Sequence, residues 1–585
     1  MRLYGTLLGI LFGESAFDQP LKVLCSLVLE CRSTIESHSF DLRPKYFFLF
    51  NGEAPAFDTV SVTMDVLEFL VLAATYCVYV TFVYWTFLVV YRLSFHPLKK
   101  YPGPQIAKVS GLYGAYFAFQ TNLHLQTWQD HLKYGPIIRQ GPNKLVFNSV
   151  NALREIYQNE NVTKSRAYLV SQRKPGVYGL FNAISRNLHQ KKRKLCAPVV
   201  NERAIRAFEP ILVDQIDILI QQLLSSCRDG SADPVNMTER FKYLTLDIMS
   251  RFAFAYPLNL QTEDTYRRMT NNTMANFCLN VGFQLPFLAN IQTPALRYIR
   301  VLIRGNGYLD ILEKMIRNRL SEGPHAKQDL LYMTDSSTVS QDDAITIAEI
   351  RSEAIFFITA GSDTLSTWLS ALFHYLSVSP QCYQQLVQEI LSAFSSDSDI
   401  RSGKKLSSCH YLRACLDETL RLCPPIPGTL WREQVSEDRV ATKPLYIDGH
   451  YIPPGTQVGV NIYSLHHNEK YFPDPFMFKP ERWLPESPEA KKTVKNAFAP
   501  FSLGSRGCLG RALAYQEASL IAAKIIWHVD FERPNTAISE SDGTPYLEYG
   551  STGEKSSEYP IRDIFSAAHD GPWLTFHSRW DSVEE

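Results

Sequence analysis

Hydrophobic positions follow two different patterns along the chain. Residues 69–91 read FLVLAATYCVYVTFVYWTFLVVY, an uncharged stretch long enough to cross a bilayer core. After about residue 105 apolar residues recur at three- and four-residue steps, as in AIRAFEPILVDQIDILIQQLL at 204–224, which predicts amphipathic helices. The stretch GPIIRQGPNKLVFNS at 135–149 predicts two strands joined by a turn. The pattern therefore predicts a mainly α fold with a minor β part.

The uncharged stretch is followed by a basic segment. Asp65 and Glu68 precede it, whereas Arg92, Lys99 and Lys100 follow it. The positive-inside rule then places the rest of the chain in the cytosol, behind a single membrane span. A buried core helix is the alternative, but the length of the segment, its tyrosine and tryptophan content and the basic flank favour the membrane.

The chain divides into four parts on this interpretation. Residues before the span lack sustained periodicity, and Met64 lies just before it, so we hypothesise that Met64 is the working start. Pro97, Pro102 and Pro104 predict a stiff, extended hinge. The predicted parts are an N-terminal extension at 1–65, a transmembrane helix at 66–91, a proline-rich hinge at 92–104 and one catalytic domain at 105–585.

Charge and cysteine content narrow the function. The chain has 585 residues, with 59 basic and 59 acidic side chains, so no overall charge attracts it to nucleic acid, and we expect no nucleic-acid partner. Its 11 cysteines include no CxxC pair and no zinc-type spacing. An odd number of scattered cysteines predicts a reducing compartment.

A polar segment lies within the longest helical pattern, which runs from about 344 to 378. Residues 358–364 read ITAGSDT, and glycine, serine, aspartate and threonine all weaken a helix interior. We expect a break in the helix there, at a functional site. A harmless, solvent-facing kink is the alternative, but the apolar residues on both sides disfavour it.

One cysteine lies among glycines at the start of a predicted helix, in FSLGSRGCLG at 501–510. A helix N-terminus stabilises a thiolate through its unpaired N–H groups and its dipole. The glycines would let the backbone wrap closely around a flat ligand, and an arginine could bind a carboxylate. These features suit a thiolate metal ligand beside a planar cofactor; the residues are Phe501, Gly504, Arg506, Gly507, Cys508 and Gly510.

The segment resembles the haem-binding signature of cytochrome P450 enzymes, Phe-x-x-Gly-x-Arg-x-Cys-x-Gly, at every fixed position. The resemblance implies the cytochrome P450 fold, a single haem-thiolate domain, here behind the membrane helix. It makes Cys508 the axial ligand of the iron of haem b.

Other segments resemble the family in the same order along the chain. ETLR at 418–421 and FKPERW at 478–483 imply a structural network of Glu418, Arg421 and Arg482. AGSDT at 360–364 implies that the Asp363 carboxylate and the Thr364 hydroxyl manage protons for dioxygen. Gly361 would leave space for the dioxygen.

The resemblance also implies which side chains hold the haem propionates. HQKKR at 189–193 places His189 where the family has tryptophan and keeps Arg193, and Arg432 matches a further arginine. The neighbouring lysines, Lys191, Lys192 and Lys194, are interpreted as a solvated face that would suit reductase docking.

We expect a monooxygenase of the endoplasmic reticulum membrane that oxidises a small apolar organic substrate. Dioxygen and electrons from NADPH, delivered by NADPH-cytochrome P450 reductase, would drive the reaction, and the family likeness points to fungal secondary metabolism. Substrate contacts are expected from residues 167–184 and from Phe356 and Phe357. The alternatives are a haem-thiolate isomerase or dehydratase that needs no reductase, and a non-catalytic haem protein.

Overall fold

The chain forms two compact units, Met1–His96 and Pro97–Glu585. The structure is a computed structural model that describes residues 61–172, 176–228, 233–270, 273–285, 306–322, 347–434, 444–484, 487–534 and 558–580. The proposed extension before the membrane helix lies almost wholly outside the described residues.

In its described residues the first unit contains one long helix, α1, Ser61–Val90, which continues into a π-helical turn at Tyr91–Phe95. The stretch Ala74–Phe95, which covers the end of α1 and this turn, has a mean hydropathy of 1.5, and only 6% of it is buried. A helix this long, apolar and exposed is compatible with a membrane anchor.

Helices make up most of the second unit, as predicted. Those in its described residues are α2 Gln105–Val109, α3 Leu112–Phe119, α4 Leu123–Tyr134, α5 Val150–Tyr157, α6 Arg186–Cys196, α7 Glu202–Arg228, α8 Met237–Phe254, α9 Thr273–Gln284, α10 Asn306–Ser321, α11 Ile347–Val378, α12 Pro380–Ala393, α13 Lys404–Ser407, α14 His410–Leu422, α15 Ile462–His466, α16 Pro488–Ala497 and α17 Arg511–His528. The helix predicted at 204–224 is confirmed as α7.

The β part is small, and the residues that the structure describes place it in three sheets. The strands are β1 Ile137–Gly141, β2 Lys144–Phe147, β3 Thr163–Lys164, β4 Val235–Asn236, β5 Arg432–Glu433, β6 Leu445–Ile447, β7 His450–Ile452, β8 Gln457–Val460, β9 Val529–Glu532 and β10 Trp573–Ser578. The largest sheet has the order β1-β2-β8-β5-β3, and only the β2–β8 pair is parallel. The hairpin predicted at 135–149 is confirmed as β1 and β2.

The main core is built around α11. This helix packs against α8, α14 and α17, and apolar side chains such as Leu369, Phe373 and Leu420 are fully buried there. Because α17 follows the glycine-rich cysteine segment directly, its packing against α11 fixes where that segment lies.

The proline-rich segment is not the extended linker that the sequence predicted. Leu98 and Tyr101 are buried in the core beside the large sheet. The Pro102 carbonyl accepts a 2.7 Å hydrogen bond from the Arg139 backbone N–H on β1. The prolines remove donors but leave carbonyls that can bind the sheet, so residues 98–104 belong to the second unit.

The structure brings Glu418, Arg421 and Arg482 together in a network around the fully buried Glu418 carboxylate. Arg421 donates two hydrogen bonds to the Glu418 carboxylate, at 2.9 and 2.8 Å, and Arg482 donates a third at 2.9 Å. The Trp483 indole and the Lys479 backbone N–H donate to the same carboxylate. Arg421 also binds three backbone carbonyls between residues 466 and 477. The network thus ties α14 to the chain that leads to the cysteine segment.

Replacing Glu418 by Gln should strongly destabilise the protein. The change leaves two arginines without their buried counter-charge, which costs about 3–5 kcal/mol. Thermal unfolding of the haem-loaded protein measures the effect. Glu202→Gln is the control, because Glu202 pairs with Arg206 on the surface, where an ion pair contributes at most about 1 kcal/mol. Equal effects of the two substitutions would contradict the structural role of the network.

Candidate active site

A cavity of about 640 Å³ lies in the second unit, between α11 and the cysteine segment. Most of its lining is apolar, and residues from 168–171 and 179–182 contribute one side of it. The cavity is within the range of cofactor and small-molecule sites.

The cysteine segment turns sharply before α17 begins. The Cys508 backbone N–H donates to the Phe501 carbonyl at 2.8 Å, and the Gly507 N–H donates to the Gly504 carbonyl at 3.1 Å. Gly504 has a φ of +70°, and a Cβ there would collide with the Tyr157 carbonyl. Glycine at 504 is therefore required for the turn and for its close packing on α5, although Gly504 itself does not line the cavity.

Cys508 exposes its thiol to this cavity and is otherwise surrounded by protein. Burial raises the pKa of the thiol, whereas a hydrogen bond from the Gly510 N–H and the charges of Arg193 and Arg511 oppose that shift. The surroundings thus supply donors and positive charge for a thiolate, which binding to a metal cation would stabilise further.

Phe501 and Gly510 complete this side of the cavity. Phe501 packs between Trp368 of α11 and Tyr515 of α17, with ring centroids 6.1 and 5.2 Å away. Gly510 lines the cavity, and no atom would obstruct a Cβ there, so the structure gives it no steric requirement for glycine.

The predicted propionate-binding residues all line the same cavity. Arg193 donates to the Gly507 carbonyl at 2.8 Å, and Arg506 donates to the Ala183 and Ile184 carbonyls at 2.6 and 2.7 Å. Arg432 is buried on β5. His189 is also buried, and burial together with the nearby cations lowers its pKa to about 3. A neutral imidazole still offers one N–H donor, so His189 can take the place of tryptophan as a donor.

Lys164 joins this group and was missed by the sequence analysis. It lies on β3 directly opposite Arg432 on β5, is buried, and lines the cavity. Its ammonium donates to the Phe181 carbonyl at 2.6 Å. A strand of two residues gives no periodic signal, so only the fold reveals this lysine.

The cation cluster (Lys164, Arg193, Arg432 and Arg506) fits an anionic ligand. Burial lowers the pKa of Lys164 most, and the three arginines lower it further, while Glu353 opposes them. Like charges gathered in a partly buried wall repel one another unless a counter-charge binds between them. The two carboxylates of a haem would provide that charge, with the iron on the side of Cys508. The residues present therefore fit the haem implied by the sequence.

One of the lysines interpreted as a solvated face is buried instead. Lys191 and Lys194 are exposed, but Lys192 is 2% exposed and contacts Glu349 at 2.9 Å and Glu353 at 3.6 Å. Glu353 in turn accepts from the Leu180 backbone N–H. Helical periodicity puts Lys192 on the inner face of α6, where it links that helix to α11.

The expected break at 358–364 is absent, because α11 is continuous through ITAGSDT. The hydroxyls of Thr359, Ser362 and Thr364 donate to the carbonyls four residues earlier, at 2.9, 2.7 and 2.7 Å. These bonds satisfy the hydroxyls within the helix, so the polar residues do not interrupt it.

The structure separates the three α11 residues that the sequence grouped. Thr364 lines the cavity, but Asp363 is not part of its lining, and its carboxylate accepts a 3.1 Å hydrogen bond from Asn276 of α9. Gly361 lines the cavity as well, yet a Cβ there would collide with Met249 of α8. The space left by the missing side chain is thus used for helix packing rather than opened to a ligand.

Comparison with known proteins agrees with this geometry. The family model described as Cytochrome P450 matches residues 102–555. The chain belongs to the cytochrome P450 family. It is 33% identical to cytochrome P450 monooxygenase poxM of Penicillium oxalicum, over 84% of this chain and 92% of the relative. It is 32% identical to cytochrome P450 monooxygenase apf7 of Gibberella fujikuroi, over 86% and 97%.

Membership of the cytochrome P450 family confirms the predicted fold class and the monooxygenase activity. The family implies a haem-thiolate cofactor, dioxygen, an organic substrate and a redox partner. The relatives' names describe monooxygenases, which argues against a non-catalytic haem protein and against an isomerase or dehydratase.

A second residue missed from the sequence is Glu517, which lies on the cavity face of α17 two turns after Gly510. It is 2% exposed, and burial raises its pKa to about 8. Glu517 is therefore mainly a neutral carboxylic acid at pH 7. Its position in the helical pattern resembles that of any core residue, so the sequence gives no signal for it.

Replacing Lys164 by Met should weaken cofactor binding and stabilise the protein without cofactor. The change removes one donor for the anion and also one of the charges that repel each other. Loss of a charged hydrogen bond is expected to speed haem transfer to an acceptor protein by roughly 10- to 100-fold. Haem transfer and apoprotein unfolding are measured together, with the exposed Lys194→Met as control. Faster haem transfer together with a less stable apoprotein would indicate a purely structural lysine.

Proposed function

We propose that this chain is a membrane-anchored monooxygenase that hydroxylates or otherwise oxidises a small apolar organic substrate in fungal secondary metabolism. The observation that carries the proposal is the arrangement of Cys508 and the cation cluster in the lining of one apolar cavity. The cofactor is haem b, and the electrons come from NADPH through NADPH-cytochrome P450 reductase. The relatives in Penicillium and Gibberella support the fungal setting.

The side chains predicted to bind the cofactor each have a role in this proposal. Haem b, when bound, supplies the redox chemistry that activates dioxygen. The Cys508 thiolate would ligate its iron, and Phe501 would shield that ligand by packing beside it. Arg193, Arg432 and Arg506 would bind the propionates together with His189 and Lys164. The bonds from Arg193 and Arg506 to backbone carbonyls already orient their guanidinium groups, which lowers the entropic cost of binding.

Thr364 and Asp363 would handle protons, but from different positions. The Thr364 hydroxyl lies at the cavity and can pass a proton onward while its oxygen accepts another. Asp363 would serve from behind the wall, where Asn276 orients its carboxylate. The Asn276 side chain also lines the cavity, so it lies between the acid and the reacting side.

The substrate is expected to be apolar, because most of the wall beyond the cysteine and the cations is apolar. Phe181 and Phe356 stack with ring centroids 4.8 Å apart, and Phe357 lies next to them. Tyr168 packs against Phe181 on the other side. A ligand there would be held by burial and by ring contacts, with few hydrogen bonds to orient it.

We place the enzyme at the endoplasmic reticulum membrane with its catalytic domain in the cytosol. The apolar helix at 66–91 supports an anchor, with residues 98–104 assigned to the catalytic unit rather than to a free hinge. That unit also exposes apolar side chains on neighbouring helices α2, α3 and α9: Ile106, Leu112, Tyr116, Phe119 and Met274. Such a patch suits contact with lipid. Lys191 and Lys194 are exposed on α6, and we place the docking of an acidic reductase surface there.

Replacing Cys508 by Ala tests the proposal directly. If the thiolate binds the iron, the variant should lose the absorption band of the reduced, carbon-monoxide-bound thiolate haem and most of its haem. Cys423→Ala is the control, because Cys423 is buried away from the cavity. Retention of the thiolate band in Cys508→Ala would refute the assignment.

Replacing Thr364 by Ala should uncouple NADPH consumption from product formation. Haem and substrate still bind, but without the hydroxyl the proton is misdelivered, so peroxide rises and product falls by about tenfold or more.

Replacing Asp363 by Asn should slow turnover, because the change removes the acid while Asn276 can still bind the new amide oxygen. The product formed per NADPH is measured with peroxide in parallel. Ser362→Ala serves as control, since its hydroxyl is buried within the helix. Unchanged coupling in Thr364→Ala would contradict the proposed role.

A further inference from the structure

One residue of the cavity wall has an unfavourable backbone conformation. Phe565 has a φ of +88°, in a region that side chains larger than glycine rarely occupy. Its ring lines the cavity and packs edge-on against Phe181 and Phe283, at 5.6 and 5.3 Å. A strained residue persists only where its surroundings hold it, so the contacts of this loop must compensate for the strain.

The loop is closed by backbone bonds at its base. Arg562 and Ala568 exchange two hydrogen bonds, at 2.7 and 2.9 Å. The Ala567 N–H donates to the Pro425 carbonyl at 2.9 Å, and its carbonyl accepts from the Thr367 hydroxyl of α11 at 3.1 Å. These bonds fix both ends of the 562–568 loop but not the position of Phe565 at its tip.

Asp563 is the side chain that holds the tip. Its Oδ1 accepts from the Phe565 N–H at 3.2 Å and from the Asn280 amide at 3.1 Å. Asn280 also donates to the Asp563 carbonyl at 2.7 Å, and the Asp563 N–H donates to the Thr121 carbonyl at 2.6 Å. Asp563 is 1% exposed, so these bonds form without competition from water.

The second carboxylate oxygen of Asp563 faces a histidine. Oδ2 lies 3.8 Å from Nδ1 of His124, which is equally buried on α4. Burial lowers the pKa of His124 to about 3, so it is neutral, and the pair is not a salt bridge at neutral pH. An amide nitrogen in place of Oδ2 could donate to Nδ1, which makes asparagine a conservative replacement.

We propose that Asp563 is a positioning residue for substrate selectivity, because it holds the strained Phe565 ring in the aromatic wall beside Phe181, with Phe283 packed against that ring from outside the lining. The proposal rests on the proposed function in one respect: it takes this cavity as the substrate site. Without the Oδ1 acceptor the backbone at Phe565 relaxes, the ring leaves the wall, and the cavity no longer distinguishes ligands by their aromatic groups.

Binding of two azoles to the haem-loaded protein tests this role without knowledge of the substrate. Imidazole reports on the haem iron alone, whereas clotrimazole adds three aromatic rings that fill the cavity. The ratio of their dissociation constants, from spectral titration, is the selectivity. Asp563→Leu and Phe565→Ala should each weaken clotrimazole relative to imidazole by about three- to tenfold, as expected for loss of an aromatic contact.

The double variant is the decisive measurement. Once the Phe565 ring is gone, Asp563→Leu has no ring to misplace, so the double variant should show the selectivity of Phe565→Ala alone.

Two control variants accompany this measurement. Asp563→Asn should keep the wild-type ratio of the two dissociation constants. Asp247→Leu is the matched control, because Asp247 is also buried and accepts two backbone N–H groups, at 2.8 and 3.0 Å, but is not part of the cavity lining. If Asp563→Leu does not fold, Asn280→Leu removes instead the amide that donates to the carbonyl and Oδ1 of Asp563 and so holds that side chain in place.

Three outcomes would overturn the proposal: an unchanged ratio in folded Asp563→Leu or Asn280→Leu, additive effects in the double variant, or an equal shift in Asp247→Leu. Failure of the proposed function is distinguishable, because the wild-type protein would then give no azole spectrum.

Discussion

Two positive charges lie directly opposite each other in the largest sheet, and the cofactor site depends on that pairing. Lys164 and Arg432 are cross-strand partners on β3 and β5, where like charges are normally unfavourable. Arg193 and Arg506 reach the same wall from α6 and from the cysteine segment. The fold therefore brings positive charge from four separate parts of the chain to one side of a cavity, and Cys508 also opens into that cavity. A flat dianion with a metal at its centre satisfies both features at once.

The scaffold that holds this arrangement uses opposite charges elsewhere. Glu418 joins α14 to the chain before the cysteine segment through two arginines, and Glu353 joins α11 both to Lys192 of α6 and to the Leu180 backbone. Each carboxylate is fully buried and multiply bonded, so each fixes one register between elements distant in sequence. The structural charges thus lie beside their counter-charges, whereas the cation cluster faces the cavity.

The sequence was informative where chemistry is local. The cysteine turn, the arginines and the Glu418 network follow short patterns whose spacing has a direct physical reason.

Prediction from the sequence failed where the outcome depends on distant contacts. Lys164 gains its role from a two-residue strand, and Lys192 is buried by a pairing with α11. Adjacent residues of a helix point about 100° apart, so Asp363 and Thr364 do not share the cavity. The polar segment of α11 stays helical because its hydroxyls bond within the helix. Asp563 and Phe565 follow directly after residues 534–560, which are rich in turn residues and give no periodic signal for the loop.

The cation cluster also makes cofactor loading a proton-linked process. Burial lowers the pKa of Lys164 and of His189, and the neighbouring cations lower both further. An arriving dianion would reverse the local potential and raise both proton affinities, so haem binding would favour the protonated form of each group. Binding must then tighten as the pH falls towards neutrality from the alkaline side. The haem content of the enzyme would then follow the pH at which the domain takes up its cofactor.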